Sequence, residues 1–356
     1  MVPGAEVEEE VVCSYAVEEL EEKVREALRG TSNRSAPGPD GISYRFIKTV
    51  LDTKLGEEVV REVAESLKEG RIPEAWQNSK VVFIPKPNKD HKAAKGWRPI
   101  KLINCVGKLA EKVVADELQE AELFHKGQFG GVKGRSALEA MTRVLTRAQR
   151  ALSRGGQVLW VMEDVRGGFN NVLGQEVLDA VGRSEKKGWC QWLKDFFRPR
   201  QFEVKWDGKV QGWGSANVRV PQGSPLSPVV FFIWMAPILK KLKARLRENA
   251  GVRARVGAGN RAGAEVVVET DVELPSFVNN MCADIIVWER GCNMNRVEDN
   301  VKRTVWEVAE ECQLPIETDK EEVLHLRTTR KRRNTERKYV KWLGVIFDDS
   351  LEFDMH

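Results

Sequence analysis

The 356-residue sequence lacks the features that mark membrane-spanning and secreted proteins. No stretch approaches the about 18 consecutive apolar residues that a membrane-spanning helix needs, and the N-terminus has no signal-peptide pattern. Its six cysteines are scattered and form no C-x-x-C pair. This spacing argues against a zinc knuckle and against a disulfide framework, and it favours a reducing compartment. We therefore predict a soluble, intracellular protein with no membrane partner.

Several common architectures are also missing. There is no internal repeat, no low-complexity tract, no phosphate-binding G-x-x-x-x-G-K-S/T loop and no βαβ series of the Rossmann kind. The net charge of +4 is too small to indicate a partner, but residues 327–341 carry eight basic residues and one acid. Such a cluster suits a phosphate backbone, although a solvated loop explains it equally well. Residues 1–30 carry nine glutamates and only three basic residues, which is typical of a helix face or a frayed lead-in.

Apolar periodicity predicts helices separated by short strands. The sequence predicts helices at Tyr15–Leu28, Ile42–Leu67, Val106–Leu118, Gly174–Gly182, Ser227–Arg247 and Val297–Cys312, a further helix behind the capping box that begins at Ser136, and strands at Val81–Pro85, Val158–Val165 and Tyr339–Phe347. Phe202–Val210 is predicted to be a hairpin around Asp207-Gly208. The strands are mostly not consecutive, so we expect an α+β fold with a small antiparallel sheet.

One strand and one predicted hairpin carry the chemistry. Strand Val158–Val165 ends in Asp164, and Leu274–Trp288 has the pattern of a hairpin with Asn279-Asn280 at its turn. An acid at a strand end, together with an acidic pair on a hairpin tip, is the layout that holds two Mg²⁺ ions for nucleotidyl transfer. Here the acid is present and the pair is two amides. By itself, an Asn-Asn pair is typical of an ordinary turn.

The order of the motifs along the chain carries a family resemblance. The series is Ile84-Pro-Lys-Pro87, Gly96-Trp-Arg-Pro-Ile100, Asp164 with Phe169 five residues later, Val220-Pro-Gln-Gly-Ser-Pro-Leu-Ser-Pro228, Phe277-Val-Asn-Asn280, Leu314–Leu324 and Val340–Phe347. From about Ala36 to the C-terminus it resembles the reverse transcriptase domain of non-LTR (LINE-like) retrotransposons, most of all the fungal elements. Group II intron maturases share the palm motifs, but the run 127–136 and the ending 342–347 are more LINE-like. An RNA virus polymerase would be expected to have an acid in place of Phe169.

The resemblance implies a right-hand polymerase fold with fingers and palm, and with a thumb that is absent or incomplete before His356. It assigns residues 1–35 to an acidic helical N-terminal extension, 36–157 to the fingers with early palm helices, and 158–356 to the palm. It implies RNA-directed DNA synthesis from an RNA template, a DNA primer and deoxynucleoside triphosphates. A nuclear location is likewise implied by the family and not by any signal in this sequence.

The resemblance also implies roles for two groups of residues. In the palm, Asp164 matches the first catalytic carboxylate and the Val165 carbonyl would help it to hold Mg²⁺, or Mn²⁺ as an alternative. Phe169 matches the aromatic residue that excludes a ribose 2′-OH, and Lys320 matches a lysine that could protonate pyrophosphate.

In the fingers and the following turn, Lys86 and Arg98 match residues that hold the incoming triphosphate. Gln222 and Gly223 match the turn beneath the templating base and nucleotide, where glycine permits a close approach of the backbone. Residues 340–347 match the primer grip.

The chain departs from the family pattern at the acidic pair, because Asn279 and Asn280 stand where the family has Asp-Asp. Asp284 cannot replace the pair, since four residues along a strand displace it by about 13 Å. Asparagine is neutral and offers one carbonyl oxygen, so Mg²⁺ binding should weaken and the chain should be inactive or nearly so. An engineered knock-out, sequence decay and domestication of the domain remain open as origins. A catalytically dead nucleic-acid-binding protein and a decayed element fragment remain the alternative functions.

Overall fold

The computed structural model describes residues 13–87, 89–206, 209–216, 220–250, 253–254, 266–267, 270–273, 276–277, 280–287, 293–326, 339–343, 345–349 and 351. The chain divides into two compact units, Met1–Leu123 with Val172–Trp234, and Phe124–Asn171 with Met235–His356. Asn279 and residues 327–338 of the basic cluster lie outside the described residues. Of the helices that are described, none is both long and apolar enough to cross a bilayer.

Helices and short strands alternate along the chain. The helices are α1 (Val17–Arg29), α2 (Tyr44–Val50), α3 (Lys54–Glu69), α4 (Glu74–Gln77), α5 (Cys105–Leu118), α6 (Ala137–Ser153), α7 (Gly168–Asn171), α8 (Gly174–Gly182), α9 (Cys190–Phe196), α10 (Ser227–Ala250) and α11 (Met294–Glu311). The strands are β1 (Ser79–Pro85), β2 (Trp97–Ile103), β3 (Gln157–Asp164), β4 (Arg200–Trp206), β5 (Lys209–Ala216), β6 (Arg253–Ala254), β7 (Val266–Val267), β8 (Thr270–Glu273), β9 (Ser276–Phe277), β10 (Asn280–Val287), β11 (Glu322–Leu326), β12 (Tyr339–Trp342) and β13 (Val345–Asp348). The predicted α+β class is confirmed.

The first unit is built on a four-stranded sheet in the order β2-β1-β4-β5. Strands β1 and β2 form an antiparallel hairpin, β4 and β5 form another, and β1 runs parallel to β4. The predicted pairing of two strands in a hairpin is therefore confirmed, and its turn residues 207–208 lie outside the described residues. The segment beginning at Trp97, for which the sequence predicts no strand, is the edge strand β2, and it pairs along the whole of β1.

The prediction of one helix over Ile42–Leu67 was wrong, because the chain breaks into α2 and α3. The hydroxyl of Thr53 accepts a hydrogen bond from the Gly56 N–H and so caps α3. Gly56 lies so close to the end of α2 that a Cβ there would stand 2.2 Å from the Val50 carbonyl oxygen. The tight turn between the two helices therefore needs both the cap and the glycine.

The second unit is built around β3, which is central in a sheet of order β11-β3-β10-β8, with β9 pairing to β10. Every pairing in this sheet is antiparallel. Alternate β3 side chains, Val158, Trp160 and Met162, are buried in the core that α6, β11, β12 and β13 supply. Leu159 and Val161 point to the other face, where the buried valines of α11 face the sheet. The predicted small antiparallel sheet is confirmed.

Two further predictions have different outcomes. The hydroxyl of Ser136 accepts from the Glu139 N–H at 3.1 Å, so the predicted cap of α6 is confirmed. The segment 339–347 is a hairpin of β12 and β13, whereas one strand was predicted. Leu343 turns the chain with φ +50°, and Trp342 then pairs with Val345. The apolar run continues through this turn, which is why the sequence pattern does not show it.

Candidate functional site

Asp164 is the last residue of the central strand β3, and the neighbouring strand β10 begins opposite it. The register pairs Asn280 with Asp164 on one side and with Phe277 of β9 on the other. The predicted hairpin therefore returns to the sheet at the residue that was singled out as the first carboxylate. The sequence-predicted positions 164 and 280 are brought together on adjacent strands.

A segment after α11 pairs with the chain just beyond β3. Val165 forms a bridge with Ile316, and the hydrogen bonds beside it run from Arg166 N to Pro315 O (2.9 Å) and from Glu317 N to Asp164 O (2.8 Å). Because the flanking residues carry these bonds, the Val165 carbonyl points away from Ile316, toward the side on which β10 runs. Its predicted role as a metal-facing carbonyl is compatible with this direction.

The same segment places Lys320 on Asp164. Lys320 ends a short 3₁₀ turn that begins at Thr318, and its N–H donates to the Glu317 carbonyl at 3.0 Å. The Lys320 Nζ donates to Asp164 Oδ2 at 2.5 Å. This hydrogen bond raises the pKa of Lys320 above 10.5, against a smaller opposing effect of burial. Lys320 is therefore a cation at neutral pH. Its position beside Asp164 is fixed both by the ion pair and by the backbone hydrogen bonds of the 315–320 segment.

Glu163 does not add a second carboxylate to this group. It precedes Asp164 on β3, so its side chain points to the opposite face of the sheet, where it is 2% exposed. Burial, followed by the nearby Glu321 carboxylate, raises the pKa of Glu163 to about 8. The Lys302 ammonium binds Glu321 at 2.5 Å and Glu298 at 2.9 Å. Lys302 and Glu298 of α11 thus form an ion-pair network with Glu321, separate from the pair of Asp164 and Lys320.

The donor set at the end of β3 does not fit a pair of divalent cations. Of the described residues that the sequence singled out here, Asp164 supplies one carboxylate, which Lys320 contacts at 2.5 Å, and Val165 supplies one backbone carbonyl. The positions that would complete it, 279 and 280, carry neutral amides. Mg²⁺ in such sites is held through carboxylates and phosphates, and it loses its water reluctantly. Within the described residues, no group of three or more His, Cys, Asp or Glu side chains is placed to bind a metal ion.

Phe169 lies on the short helix α7, directly after β3. Asn171 holds the preceding turn, because its Nδ2 donates to the Arg166 carbonyl at 2.7 Å and to the Gly167 carbonyl at 3.0 Å. Gly167 adopts φ +60°, which favours glycine. Phe169 itself is half-buried, five residues beyond Asp164. The polar Asn171, which the sequence did not single out, therefore fixes the turn that carries the aromatic ring.

Lys86 and Arg98 both belong to the β1–β2 hairpin of the first unit. Arg98 pairs with Ile84 and is exposed, and the Lys86 N–H donates to the Gly96 carbonyl at 2.8 Å. The Lys86 ammonium donates to the Lys95 carbonyl at 2.9 Å. The register thus places the two cations near the same end of the hairpin, as the sequence motifs predict.

Gln222 and Gly223 form a turn that closes the open edge of β2. The Lys101 N–H donates to the Gln222 carbonyl at 2.8 Å. Gly223 has φ +132°, and a Cβ there would lie 2.2 Å from the Lys101 carbonyl oxygen. Ser227 Oγ donates to the Pro221 carbonyl at 2.7 Å and ties the turn to the start of α10. The glycine is required by this backbone-to-backbone contact, and no local pattern in the sequence identifies Lys101 as its partner.

A family model now bears directly on these residues. The model described as reverse transcriptase (RNA-dependent DNA polymerase) matches residues 84–347, well over half of the chain. The chain belongs to the reverse transcriptase family. The match includes each of the predicted site residues, from Lys86 to Lys320. Members of this family generally use divalent metal ions.

Curated relatives and a solved structure agree with this membership. The RNA-directed DNA polymerase from mobile element jockey of Drosophila funebris is 26% identical over 219 residues, covering 60% of this chain and 24% of the relative. A Pol polyprotein from the retrotransposable element R2 of Nasonia vitripennis is 24% identical over 224 residues, covering 61% of this chain and 20% of the relative. The chain therefore spans about a quarter or less of these relatives' length. The predicted similarity to non-LTR retrotransposon reverse transcriptases is confirmed at this level.

The structural comparison concerns the fold alone. The apo telomerase of Candida tropicalis matches with a TM-score of 0.50 and 13% identity, over 84% of this chain and 53% of the telomerase chain. Together with the family match, this confirms the predicted right-hand polymerase fold.

Proposed function

We propose that the chain is the RNA-directed DNA polymerase domain of a non-LTR retrotransposon of the fungal type, and that it is disabled at its metal-binding pair. The observation that carries the proposal is the pairing of Asp164 with Asn280 on adjacent central strands, inside a matched reverse transcriptase region. The site position is retained, whereas the second and third carboxylates are replaced. On this proposal the partners are an RNA template, a DNA primer and deoxynucleoside triphosphates.

The remaining assignments form part of the same proposal. Residues 36–157 supply the fingers with early palm helices, and 158–356 supply the palm. Lys86 and Arg98 contact the incoming triphosphate, and Gln222 and Gly223 lie beneath the nucleotide and the templating base. Phe169 excludes the 2′-OH, and Lys320 is near enough to Asp164 to act at the reacting phosphates. Nuclear residence follows if the element behaves like the family.

The loss of two carboxylates is expected to remove most of the activity. Two negative charges are missing from a site that must hold divalent cations. Loss of a correctly placed metal ion raises the activation free energy of nucleotidyl transfer by several kcal/mol. Such a cost corresponds to a rate loss of about 10³-fold or more. Glu163 does not supply a replacement carboxylate, because it faces the opposite side of the sheet.

Primer extension on an RNA template with Mg²⁺ tests the proposal. The chain as it stands is compared with the Asn279→Asp/Asn280→Asp variant, and with a matched control in which Asp164→Asn is added to that variant. We expect extension by the double variant alone, at least about 10³-fold above the unaltered chain. Comparable extension by the unaltered chain would contradict the proposed defect.

A nucleic-acid-binding protein without turnover is the second candidate. It is favoured by the intact fingers hairpin and by the well-formed 220–227 turn, whose backbone contacts do not depend on the altered pair. This candidate predicts salt-dependent binding of an RNA–DNA duplex and no primer extension by either the unaltered chain or the Asn279→Asp/Asn280→Asp variant. Failure of both chains to bind the duplex, from folded protein, would leave only a decayed fragment.

A further inference from the structure

A lysine in the fingers sheet is buried without a carboxylate partner. Lys101 lies on β2 and is 8% exposed. Among the described residues, no carboxylate or carbonyl oxygen accepts a hydrogen bond from its ammonium group. Its Nζ lies 5.3 Å from the centroid of the Phe202 ring. A lysine whose side chain is largely withdrawn from water without gaining an acceptor is costly.

A second buried cation projects from the same face of the sheet. The register pairs Val81 with Lys101 on one side and with Val204 on the other, so Lys101 shares its face with the alternate β4 residues, Phe202 and Arg200. Arg200 is 6% exposed, and its guanidinium lies 4.7 Å from the centroid of the Phe196 ring. The inner face of the sheet therefore carries two cations.

Within the described residues, one carboxylate, that of Glu111, contacts this pair of cations, and it binds Arg200. Arg200 Nη1 donates to Glu111 Oε1 at 3.1 Å, and Nη2 donates to the Phe196 carbonyl at 3.2 Å. Arg200 Nε and Glu111 Oε2 are buried with no hydrogen-bond partner there. These three side chains carry one positive charge in excess. Arg200 Nε is a buried donor without an acceptor, and the Lys101 ammonium has no acceptor among the described residues.

Burial, followed by the nearby Arg200 charge, lowers the pKa of Lys101. The folded chain thus disfavours the very charge that Lys101 carries in water, and a hydrophobic side chain of similar length would be more stable there. Spare buried donors with excess positive charge are the complement of an oxyanion, since charge-assisted hydrogen bonds to phosphoryl oxygens are short and strong.

We propose that Lys101 and Arg200 form a binding site for a phosphoryl group on the inner face of the fingers sheet. The choice of ligand rests on the proposed function, since a polymerase meets phosphoryl groups both in nucleoside triphosphates and in nucleic-acid backbones. Lys101 also holds the Gln222 carbonyl and contacts Gly223 through its backbone. A ligand bound at this site would therefore affect the 222–223 turn through the backbone of Lys101.

The test uses thermal unfolding of the whole chain with and without sodium tripolyphosphate, in the absence of metal. The variants are Lys101→Met, Lys101→Arg, and Lys80→Met as a matched control, because Lys80 lies on β1 and projects from the opposite face of the same sheet. We expect tripolyphosphate to raise the Tm of the unaltered chain and of the Lys80→Met and Lys101→Arg variants. Lys101→Met should have a higher Tm without the anion and should lose the response to it.

Two outcomes would overturn the site. One is a rise in Tm with tripolyphosphate that is the same in Lys101→Met as in the unaltered chain. The other is no rise in the unaltered chain, which would mean that Lys101 is only a buried charge or is hydrogen-bonded to a water molecule. In titrations, Lys101→Met should bind tripolyphosphate about tenfold more weakly or worse, as expected for the loss of a charge-assisted hydrogen bond.

A short RNA–DNA duplex separates the two sources of the phosphoryl group. Loss of tripolyphosphate binding alone in Lys101→Met assigns the site to a nucleotide, and loss of duplex affinity as well assigns it to the nucleic-acid backbone. A duplex that fails to bind even the unaltered chain, while tripolyphosphate still binds, would sink the proposed function and leave this site standing.

Discussion

Two contacts hold Lys320 at Asp164. Its ammonium group binds the Asp164 carboxylate, and the turn that carries it is bonded to the Asp164 carbonyl through the Glu317 N–H. We expect Lys320→Gln to lower the free energy of unfolding by only about 0.2–1 kcal/mol, since its side chain is 61% exposed and water screens the pair. Folding raises the Lys320 pKa, so the contribution is complete below pH 10.5 and is lost as the pH rises through the higher folded value. Urea unfolding at pH 7.5 and at pH 11 checks both statements.

The matched control for that change is Lys126→Gln, an exposed lysine of the same unit. It should be neutral at both pH values. A cost for Lys320→Gln that persists unchanged at the higher pH would show that the pair does not supply the stabilisation, and adding Asp164→Asn should then be additive.

Gly223 is the position at which we expect an added methyl group to lower the free energy of unfolding the most. Gly223→Ala adds a Cβ 2.2 Å from a backbone oxygen, at a φ of +132° that side chains rarely adopt. We expect a loss of about 3 kcal/mol or more from strain and overpacking together. Thermal unfolding and urea unfolding measure it.

Gly41→Ala separates the two causes, because Gly41 also has a positive φ, +72°, but has open space around its Cβ position. Its cost should be about 1–2 kcal/mol, from backbone strain alone. Equal costs at the two glycines would mean that the turn moves freely away from β2.

At the scale of elements, the N-terminal helix α1 is fastened by one buried carboxylate of α5. Glu117 accepts from Lys23 at 2.6 Å, and from Lys186 and Tyr15 at 2.9 Å each. We expect Glu117→Gln to cost about 3 kcal/mol, because it leaves two lysines facing a neutral group in a buried site. Urea unfolding, with hydrogen exchange of α1, measures the loss.

The pH dependence of this anchor has a definite sign. Burial alone would raise the pKa of Glu117, but the hydrogen bonds from Lys23, Lys186 and Tyr15 lower it below 4.5. Its stabilisation is therefore present above pH 4.5 and is lost as the pH falls through the lower folded value. Glu120→Gln is the control, since Glu120 meets the same Lys186 at 3.4 Å but is 53% exposed. Its cost should stay below about 1 kcal/mol, and an equal cost for the two changes would contradict the anchor.

Elements with strong local signals could be predicted from the sequence. The helix Gly174–Gly182 and the capped start of α6 follow from apolar spacing and from the Ser136 hydroxyl. The missed elements depend on contacts that are remote in sequence. Strand β2 exists because β1 pairs with it, and the break between α2 and α3 depends on a glycine whose function is a close approach.

At the scale of the whole molecule, the sequence could nominate candidate site residues but not the contacts that connect them. Asp164, Phe169 and Lys320 carry recognisable spacings, so the family resemblance could assign them. The bond from Lys320 to Asp164 spans 156 positions, and no local pattern records it. Lys101 was overlooked because a lysine in a strand normally faces water, and only the assembled sheet reveals that it is buried.

For the whole chain, we propose that a reverse transcriptase scaffold is retained while its divalent-cation site is lost. A direct titration of Mn²⁺ into the folded chain, followed by the decline of the free-ion electron paramagnetic resonance signal, tests this without requiring catalysis. We expect the unaltered chain to bind Mn²⁺ no more tightly than its Asp164→Asn variant, and Asn279→Asp/Asn280→Asp to gain Asp164-dependent binding. Tight binding of two Mn²⁺ ions by the unaltered chain, abolished by Asp164→Asn, would contradict the account.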